Sequence, residues 1–373
     1  MKLPTLALAS LASLASLLMI PSVRAYGPDG HETVGALADL LLKDDAATTA
    51  KIKALLGELK LAQVANIPDQ IKAWDQDPSA NPFGQHPPEP ALLKQLQDFW
   101  AANQNPWDGK TGSKKHHIFH YTDVPIDAAD YKSATHGKND DDIVHMIPRC
   151  LGVLDGSVPE VNPYKITKPI AVILLAHYVG DLHQPLHVGS AYFEVKTGRE
   201  FPAGGFLSNA PDALADEGGN NLEFHYLDKG TLVHKSFHSY WDGDAVKLAL
   251  EDAGIKPEKG AGTLWAEKLR AIEPANWKPA AGTKAKDWAE AWANEILPIA
   301  KTAHEKLHFG KLHRKAGDGE PEALGNAYPG SYKAKFEPAS TEYVEWSKGV
   351  VTDEINKGGR RLALLLQTVL ADK

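Results

Sequence analysis

The chain has 373 residues, of which 24% are charged and 43% hydrophobic, values that exclude a disordered or fibrous protein. Its formal net charge at pH 7 is −8, which argues against binding nucleic acid through lysine and arginine alone. If the chain handles phosphate groups, bound cations must supply positive charge locally.

Residues 1–25 have the layout of a secretory signal peptide. Lys2 supplies the positive region, "LALASLASLASLLMI" the apolar region, and Val23 and Ala25 the small residues before a cleavage site. We therefore expect export, to the bacterial periplasm or the medium, and a mature chain that begins at Tyr26. An uncleaved membrane anchor is the alternative.

Apolar periodicity predicts helices over most of the mature chain. Residues 31–42 and 48–59 each carry an apolar stripe, and residues 166–183 are apolar nearly all round, as expected of a central helix. Further helices are predicted at 91–102, 141–154, 245–253, 263–272, 285–307 and 349–371. Clusters of proline and glycine predict loops at 78–90, 105–112, 200–219, 255–262, 273–283 and 316–339. The fold class is therefore all-α, a single multi-helix domain over 26–373. Cys150 is the only cysteine, so no intramolecular disulfide can form.

The segment "HYVGDLHQPLH" (177–187) places metal-binding residue types at the end of the central helix. His177 and Asp181 are one helical turn apart and share a face. Pro185 breaks the helix, so His187 is expected to serve a neighbouring centre, and we interpret His183 as a bystander. The same spacing recurs at His238 and Asp242. Imidazole nitrogen with carboxylate oxygen is the ligand set that zinc prefers.

Three other stretches carry chemistry-bearing residues. "YGPDGHETVG" contains His31, "ANIPDQIKAW" contains Asp69 and Lys72, and "KKHHIFHYTDVP" contains further histidines, an aromatic residue and a carboxylate. The members of that last set are His116, His117, His120, Tyr121 and Asp123. Taken singly, each stretch also fits a helix start, a helix cap or a basic surface loop.

Taken together, the motifs resemble the S1/P1 nuclease family, which shares its fold with the zinc-dependent bacterial phospholipases C. They occur in the family's order along the mature chain: the aromatic-Gly-x-x-Gly-His start, Asp-x-x-basic, His-aromatic-x-Asp, the 177–187 segment, "GGN" and His-x-x-x-Trp-Asp. The closing "GGRRLALLLQTVL" is similar to the family's C-terminal helix. Two segments, about 190–216 and 309–339, are insertions relative to typical members.

The resemblance implies a cleft that binds three zinc ions. One zinc would be bound by Asp69, His120, His177 and Asp181. A second would be bound by His187, His238 and Asp242. The third would be bound by the amino nitrogen and carbonyl oxygen of Tyr26, together with His31 and a second oxygen of Asp181.

The implied activity is cleavage of single-stranded DNA and RNA to 5′-nucleotides, with 3′-nucleotidase activity. In that reaction Asp69 would orient or deprotonate the attacking water, and Lys72 would neutralise phosphate charge. Tyr121 would stack on an unpaired base, and Asp123 would accept hydrogen bonds from its edge. Single-stranded nucleic acid and nucleotides are then the partners, as substrates of a monomer with no stable protein partner.

Two other functions stay open at this stage. A phospholipase C of the same fold would use the same metals, although the aspartate at position 242 and the "HYTD" motif favour the nuclease. A non-catalytic periplasmic zinc-binding protein is the other alternative, and the pairing of Asp69 with Lys72 argues against it. Tyr26 stands where the family commonly has tryptophan and Lys72 where arginine is more usual, which exchanges a bidentate donor for a point charge.

Overall fold

The computed structural model describes residues 26–84, 87–106, 113–194, 213–307, 313–314, 324–325 and 338–371. The predicted signal peptide lies outside these residues, and so do most residues of the two predicted insertions. Among the described residues, no helix combines the length and the apolar character needed to cross a bilayer.

Helices dominate the described part of the chain, as predicted. The α-helices are α1 (Gly27–Leu42), α2 (Ala46–Leu56), α3 (Leu61–Val64), α4 (Ile67–Gln70), α5 (Pro90–Ala102), α6 (Lys115–Ile118), α7 (Ile143–Asp155), α8 (Lys168–Leu182), α9 (Phe237–Ser239), α10 (Ala245–Asp252), α11 (Ala261–Arg270), α12 (Trp288–Glu305) and α13 (Thr341–Leu370). Short 3₁₀ helices span Ile71–Asp75, Pro185–His187 and Ala285–Asp287, and a π-helix spans Tyr240–Asp244. The nine long helices predicted from periodicity are confirmed, whereas the helices of three to five residues were not predicted.

The strands are short and form pairs only. β1 (Val124–Pro125) pairs in parallel with β2 (Gly189–Ser190), while β3 (Tyr192–Glu194) with β4 (Ala213–Ala215) and β7 (His313–Arg314) with β8 (Leu324–Gly325) pair antiparallel. The longest pair is a hairpin of β5 (Glu223–Asp228) and β6 (Thr231–Ser236). Lys229 and Gly230 both have positive φ at its turn, which is the backbone of a two-residue hairpin loop.

Helix α8 is the centre of the core. Every residue from Ile170 to Leu182 is buried, and the helix contacts α1, α3, α7 and α13. Thr167 caps its N-terminus by accepting a hydrogen bond from the backbone N–H of Ile170. A helix surrounded by other helices has no solvent-facing side, which explains why its sequence is apolar nearly all round.

Helix α13 packs along α1 and begins eight residues before the predicted position 349. Ser340 caps it, and its first turns are rich in polar and aromatic residues, which conceal the helical period. Close approach to α1 requires Gly359, where an added Cβ would lie 2.7 Å from the Leu37 Cβ. The α1–α13 contact in turn fixes the start of α1 against the end of α8, with Tyr26 directly before the helix and His31 in its second turn.

Candidate metal centre

The end of α8 carries the residue around which the centre is arranged, Asp181. Its side chain is fully buried. Oδ2 lies 2.9 Å from His120 Nδ1 and 3.1 Å from His177 Nε2, while Oδ1 lies 3.2 Å from His31 Nε2. The two oxygens of one carboxylate therefore face different histidines, which is the arrangement that a bridging ligand requires.

Asp69 completes the group on the Oδ2 side. Its Oδ1 lies 3.9 Å from His120 Nδ1 and 3.8 Å from His177 Nε2. His120 and His177 are themselves in contact, with 2.9 Å between those two ring nitrogens. Asp69 comes from α4, His120 from the turn after α6 and His177 from α8, so the structure brings together three segments that are far apart in sequence.

His31 reaches the Oδ1 side of Asp181 from α1. Its ring stacks on that of His177, with 3.9 Å between the ring centroids and 16° between the planes. Gly180 makes room for this ring, because an added Cβ there would lie 3.0 Å from His31 Nδ1. The glycine of the "GD" motif thus allows α1 to approach α8 at the position of the centre.

A second group is formed by His187, His238 and Asp242. His238 Nε2 lies 3.0 Å from Asp242 Oδ2, and His187 Nε2 lies 3.7 Å from Asp242 Oδ1. The sequence predicts one regular helical turn between His238 and Asp242, but the chain passes from α9 into the π-helix Tyr240–Asp244 there. The two side chains still meet, because the wider π turn keeps them on the same side.

Backbone carbonyl oxygens orient three of these histidines by contacting Nδ1, the ring nitrogen that faces away from the centre. The Nδ1 atoms of His177, His187 and His238 lie 2.6, 2.9 and 2.7 Å from the carbonyl oxygens of Ala65, His120 and Gly218 respectively. If each Nδ1 carries the proton and donates it, each Nε2 presents a lone pair to the centre. This is the outer arrangement usual for metal-binding histidines.

Several buried polar atoms at the centre have no hydrogen-bond partner within the described part of the chain. They are His31 Nδ1 and Nε2, Asp181 Oδ1, His187 Nε2, His238 Nε2 and Asp242 Oδ2. Buried polar groups without partners are costly, and native structures satisfy nearly all of them. Bound cations would satisfy these atoms, so the residues fit the metals that the sequence resemblance implies.

The electrostatics of the two groups differ. Burial alone would raise the pKa of Asp69, but the charges of Lys72 and the nearby histidines outweigh burial and hold it well below its usual range. Burial alone would lower the pKa of His187, but the carboxylates of Asp242 and Asp181 raise it to about 9. Without metal, His187 therefore holds a proton at neutral pH, and a cation that binds there must displace it.

A family model described as S1/P1 Nuclease matches residues 26–371. The chain belongs to the S1/P1 nuclease family.

Curated relatives agree with this assignment. Endonuclease 4 of Arabidopsis thaliana is 24% identical over 360 residues, covering 95% of this chain and 92% of that protein. Endonuclease 5 of the same plant is 26% identical over 367 residues, covering 95% and 94%, and Endonuclease 1 is 24% identical over 368 residues, covering 95% and 90%. The chain is thus a nuclease.

Lys72 lies beside Asp69, as their spacing in the sequence predicts. Its Nζ lies 2.7 Å from Asp69 Oδ1, and its side chain is 13% exposed. An ammonium group has three donors, so the contact with Asp69 does not exhaust them. The lysine therefore pairs with the carboxylate and keeps donors for a further acceptor.

The two predicted base-binding residues directly follow the His120 segment in the sequence. Tyr121 is partly buried, and Asp123 Oδ1 accepts a 2.6 Å hydrogen bond from Ser190 Oγ. Burial raises the pKa of Asp123 to about 7, even though Ser190 donates to it. A carboxyl with a raised pKa can also donate a hydrogen bond when it is protonated, whereas the resemblance implies only an acceptor. The stacking role of Tyr121 stays a prediction.

Ser190 connects Asp123 to the second group, a contact that no sequence motif predicts. Its hydroxyl donates to Asp123 and accepts a 2.7 Å hydrogen bond from the backbone N–H of Gly218. The carbonyl of Gly218 is the oxygen that faces His238 Nδ1. The "GGN" motif includes this glycine, but no local pattern points to the serine.

Gln184 also contacts the second group, and the sequence gives it no role although it lies inside "QPLH". Its Nε2 donates a 2.7 Å hydrogen bond to Asp242 Oδ1.

His183 belongs to neither group, in agreement with its interpretation as a bystander to metal binding, but it has structural contacts of its own. It is fully buried, its Nδ1 lies 2.6 Å from the carbonyl oxygen of Val179, and Arg361 Nη1 lies 3.0 Å from its Nε2. The backbone carbonyl of His183 accepts a 2.6 Å hydrogen bond from the Tyr26 hydroxyl. The residue therefore supports the predicted mature N-terminus. Coordination by the backbone of Tyr26 stays a prediction.

Proposed function

We propose that this nuclease is a zinc-dependent enzyme that cleaves single-stranded DNA and RNA to 5′-nucleotides and also removes 3′-phosphates from nucleotides. The observation that carries the proposal is the convergence of unpartnered, buried histidine and aspartate atoms on both sides of Asp181 and at Asp242. Histidine nitrogen with carboxylate oxygen favours zinc. We also propose three zinc ions per chain, the third bound by His31, Asp181 and the backbone of Tyr26.

Zinc bound at these residues would supply Lewis acidity and a nucleophilic water at neutral pH. Asp69 contributes an ionised carboxylate, because its pKa is held well below the usual range. Such a carboxylate is a good ligand and a good hydrogen-bond acceptor but a weak base. Its role is therefore to orient the attacking water rather than to remove its proton.

Lys72 contributes positive charge where the phosphate gains negative charge in the transition state. Because the side chain is mostly buried and held by Asp69, the ammonium is already in place before substrate binds. Preorganised charge of this kind lowers the barrier without a reorganisation cost. The unpaired base would lie on Tyr121, with Asp123 at its hydrogen-bonding edge, which would favour single strands because that edge of a paired base is already occupied.

We further propose that the chain is exported and that signal cleavage makes Tyr26 the first residue. Mass spectrometry of the protein recovered from the periplasm or medium tests this directly. A chain that begins at Tyr26 supports the proposal, and a chain that retains residues 1–25 contradicts it.

A substrate panel and a metal analysis test the activity. The mature protein is assayed on single-stranded DNA, RNA, 3′-AMP and phosphatidylcholine, and its zinc content is measured. We expect nucleotide release with three zinc ions per chain. Asp69→Asn is expected to abolish activity, whereas Asp98→Asn, on the exposed Lys94–Asp98 pair of α5, is the matched control. Lipid hydrolysis without nucleotide release, or zinc without any phosphoesterase activity, contradicts the proposal.

A further inference from the structure

His116 and His117 take no part in the centre described above, yet they meet a carboxylate of their own. His116 Nε2 lies 3.1 Å from Asp75 Oδ1, and His117 Nε2 lies 2.6 Å from Asp75 Oδ2. Among the described residues, four groups bring three potential ligand atoms within 4.8 Å of one another, and the other three all belong to the predicted centre. This fourth group, Asp75 with His116 and His117, has no assigned role.

The spacing of the fourth group resembles that of the predicted centre. In a tetrahedral zinc site, with ligands about 2.1 Å from the metal, neighbouring ligand atoms are about 3.4 Å apart. The 3.1 Å between His116 and Asp75 is the same as the 3.1 Å between His177 and Asp181. The 2.6 Å contact of His117 is shorter and must open, which its partly exposed side chain permits.

The surroundings of the group also suit a cation. Trp100 Nε1 donates a 2.8 Å hydrogen bond to Asp75 Oδ1, the kind of outer contact that ligating carboxylates commonly have. His116 is buried, and its Nε2 faces Asp75, so this nitrogen is the one that would bind a cation.

Lys114 occupies the cation position in this structure. Its Nζ lies 2.9 Å from Asp75 Oδ1 and 2.7 Å from Gln104 Oε1, and its side chain is one-third exposed. A partly exposed lysine can move into water at modest cost, since ion pairs near the surface contribute little to stability. A divalent cation would therefore compete with this ammonium, and it would be bound more weakly than cations at the buried centre.

We propose that Asp75, His116 and His117 form a fourth divalent-cation site, selective for zinc and similar histidine-binding ions, in competition with Lys114. The site would join the 3₁₀ helix Ile71–Asp75, which carries Lys72, to α6, which leads into His120. Its occupation would hold together two segments that carry residues of the nuclease centre. It therefore stabilises the enzyme at raised zinc concentration without taking part in the reaction.

The test is a zinc titration of the mature protein against a chromophoric chelator, which counts tight and weak sites in one experiment. We expect the wild type to bind one more zinc ion than the His116→Gln/His117→Gln variant, which keeps all the tight sites. Lys114→Ala is expected to tighten only the weak site, by up to about fivefold, the range of a partly exposed ion pair. Lys94→Ala, which breaks the exposed Lys94–Asp98 pair, is the control and is expected to change neither class.

An equal zinc count in the wild type and the double variant overturns the proposal. An unchanged zinc affinity of the weak site in Lys114→Ala overturns the proposed competition between zinc and the lysine ammonium. Should the double variant not fold, His117→Gln alone, at the more exposed position, replaces it and is expected to lose the weak site. Fewer than three tight sites in the wild type would contradict the trinuclear centre instead, so the two proposals fail separately.

Discussion

The Tyr26 hydroxyl donates a 2.6 Å hydrogen bond to the backbone carbonyl oxygen of His183, at the C-terminal end of α8. Asp181 lies two residues earlier on the same helix end. Tyr26 is completely buried, and its φ of 23° is unusual for a residue with a side chain. The predicted first residue of the mature chain is thus anchored to the helix end that carries Asp181.

Signal cleavage is expected to activate the enzyme. A chain that keeps Ala25 cannot present a free α-amino group at Tyr26, so it should lose one zinc ion and most of its activity. Zinc content and nuclease rate, compared with the chain that begins at Tyr26, check this expectation. Three zinc ions and full activity in the longer chain would refute it.

Tyr26→Phe separates the anchoring role of the Tyr26 hydroxyl from metal coordination by the Tyr26 backbone. The substitution removes only the hydroxyl and leaves the His183 carbonyl without that donor, so we expect a loss of about 1–3 kcal/mol in the free energy of unfolding. Zinc content should stay at the wild-type value, since the backbone atoms remain. Denaturant unfolding and metal analysis measure the two effects, and loss of zinc with unchanged stability would contradict this division of roles.

Asp181→Asn should reduce zinc content more than Asp242→Asn. The two oxygens of Asp181 face different histidines, whereas Asp242 serves one group and has one oxygen engaged by Gln184. An asparagine keeps one oxygen but cannot bridge two cations. Metal analysis of the two purified variants decides the matter, and equal losses would show that Asp181 does not bridge.

Lys72→Ala should lower kcat while leaving zinc content unchanged. Loss of one preorganised donor to developing charge typically costs about 10²–10³ in rate. Lys72→Arg keeps the charge and should retain more activity than alanine. The readouts are kcat, KM and zinc content. If Lys72→Ala lost zinc in proportion to activity, the lysine would be supporting Asp69 instead of the phosphate.

Asp123 is expected to make the free energy of unfolding depend on pH, with a definite sign. Its pKa is about 7 in the folded chain and about 3.9 when unfolded, so between these values the folded state keeps a proton that the unfolded state has lost. Stability therefore falls as pH rises through this window. In metal-free protein, Asp123→Asn should show a smaller fall than the wild type. Parallel stability curves for the two proteins would contradict the raised pKa.

The chain's local spacings predicted the parts of the site that lie within one element. His177 with Asp181 and His238 with Asp242 were identified because four residues bring side chains to one side of a helical turn. Periodicity also placed the long helices, although the start of α13 was placed eight residues too late because polar and aromatic residues fill its first turns. The β5–β6 hairpin was missed, despite "DKGT" at its turn.

Sequence spacing could not separate the histidines of "KKHHIFH". His120 faces Asp181 while His116 and His117 face Asp75, and the difference follows from which segment each ring meets when α6 packs. Nor could it reveal the role of His183, whose partners Tyr26 and Arg361 are both more than 150 positions away.

The sequence by itself determined the helical class, the family and the pairs of ligand-type residues that one element can hold, because helix periodicity and motif order are local properties. Only the tertiary structure decided which pairs share a centre. Packing of α1 and α13 against α8 brings His31 to one oxygen of Asp181, and packing of α4 and α6 brings Asp69 and His120 to the other side. Such contacts depend on how apolar faces fit together over the whole chain, and no local spacing encodes them.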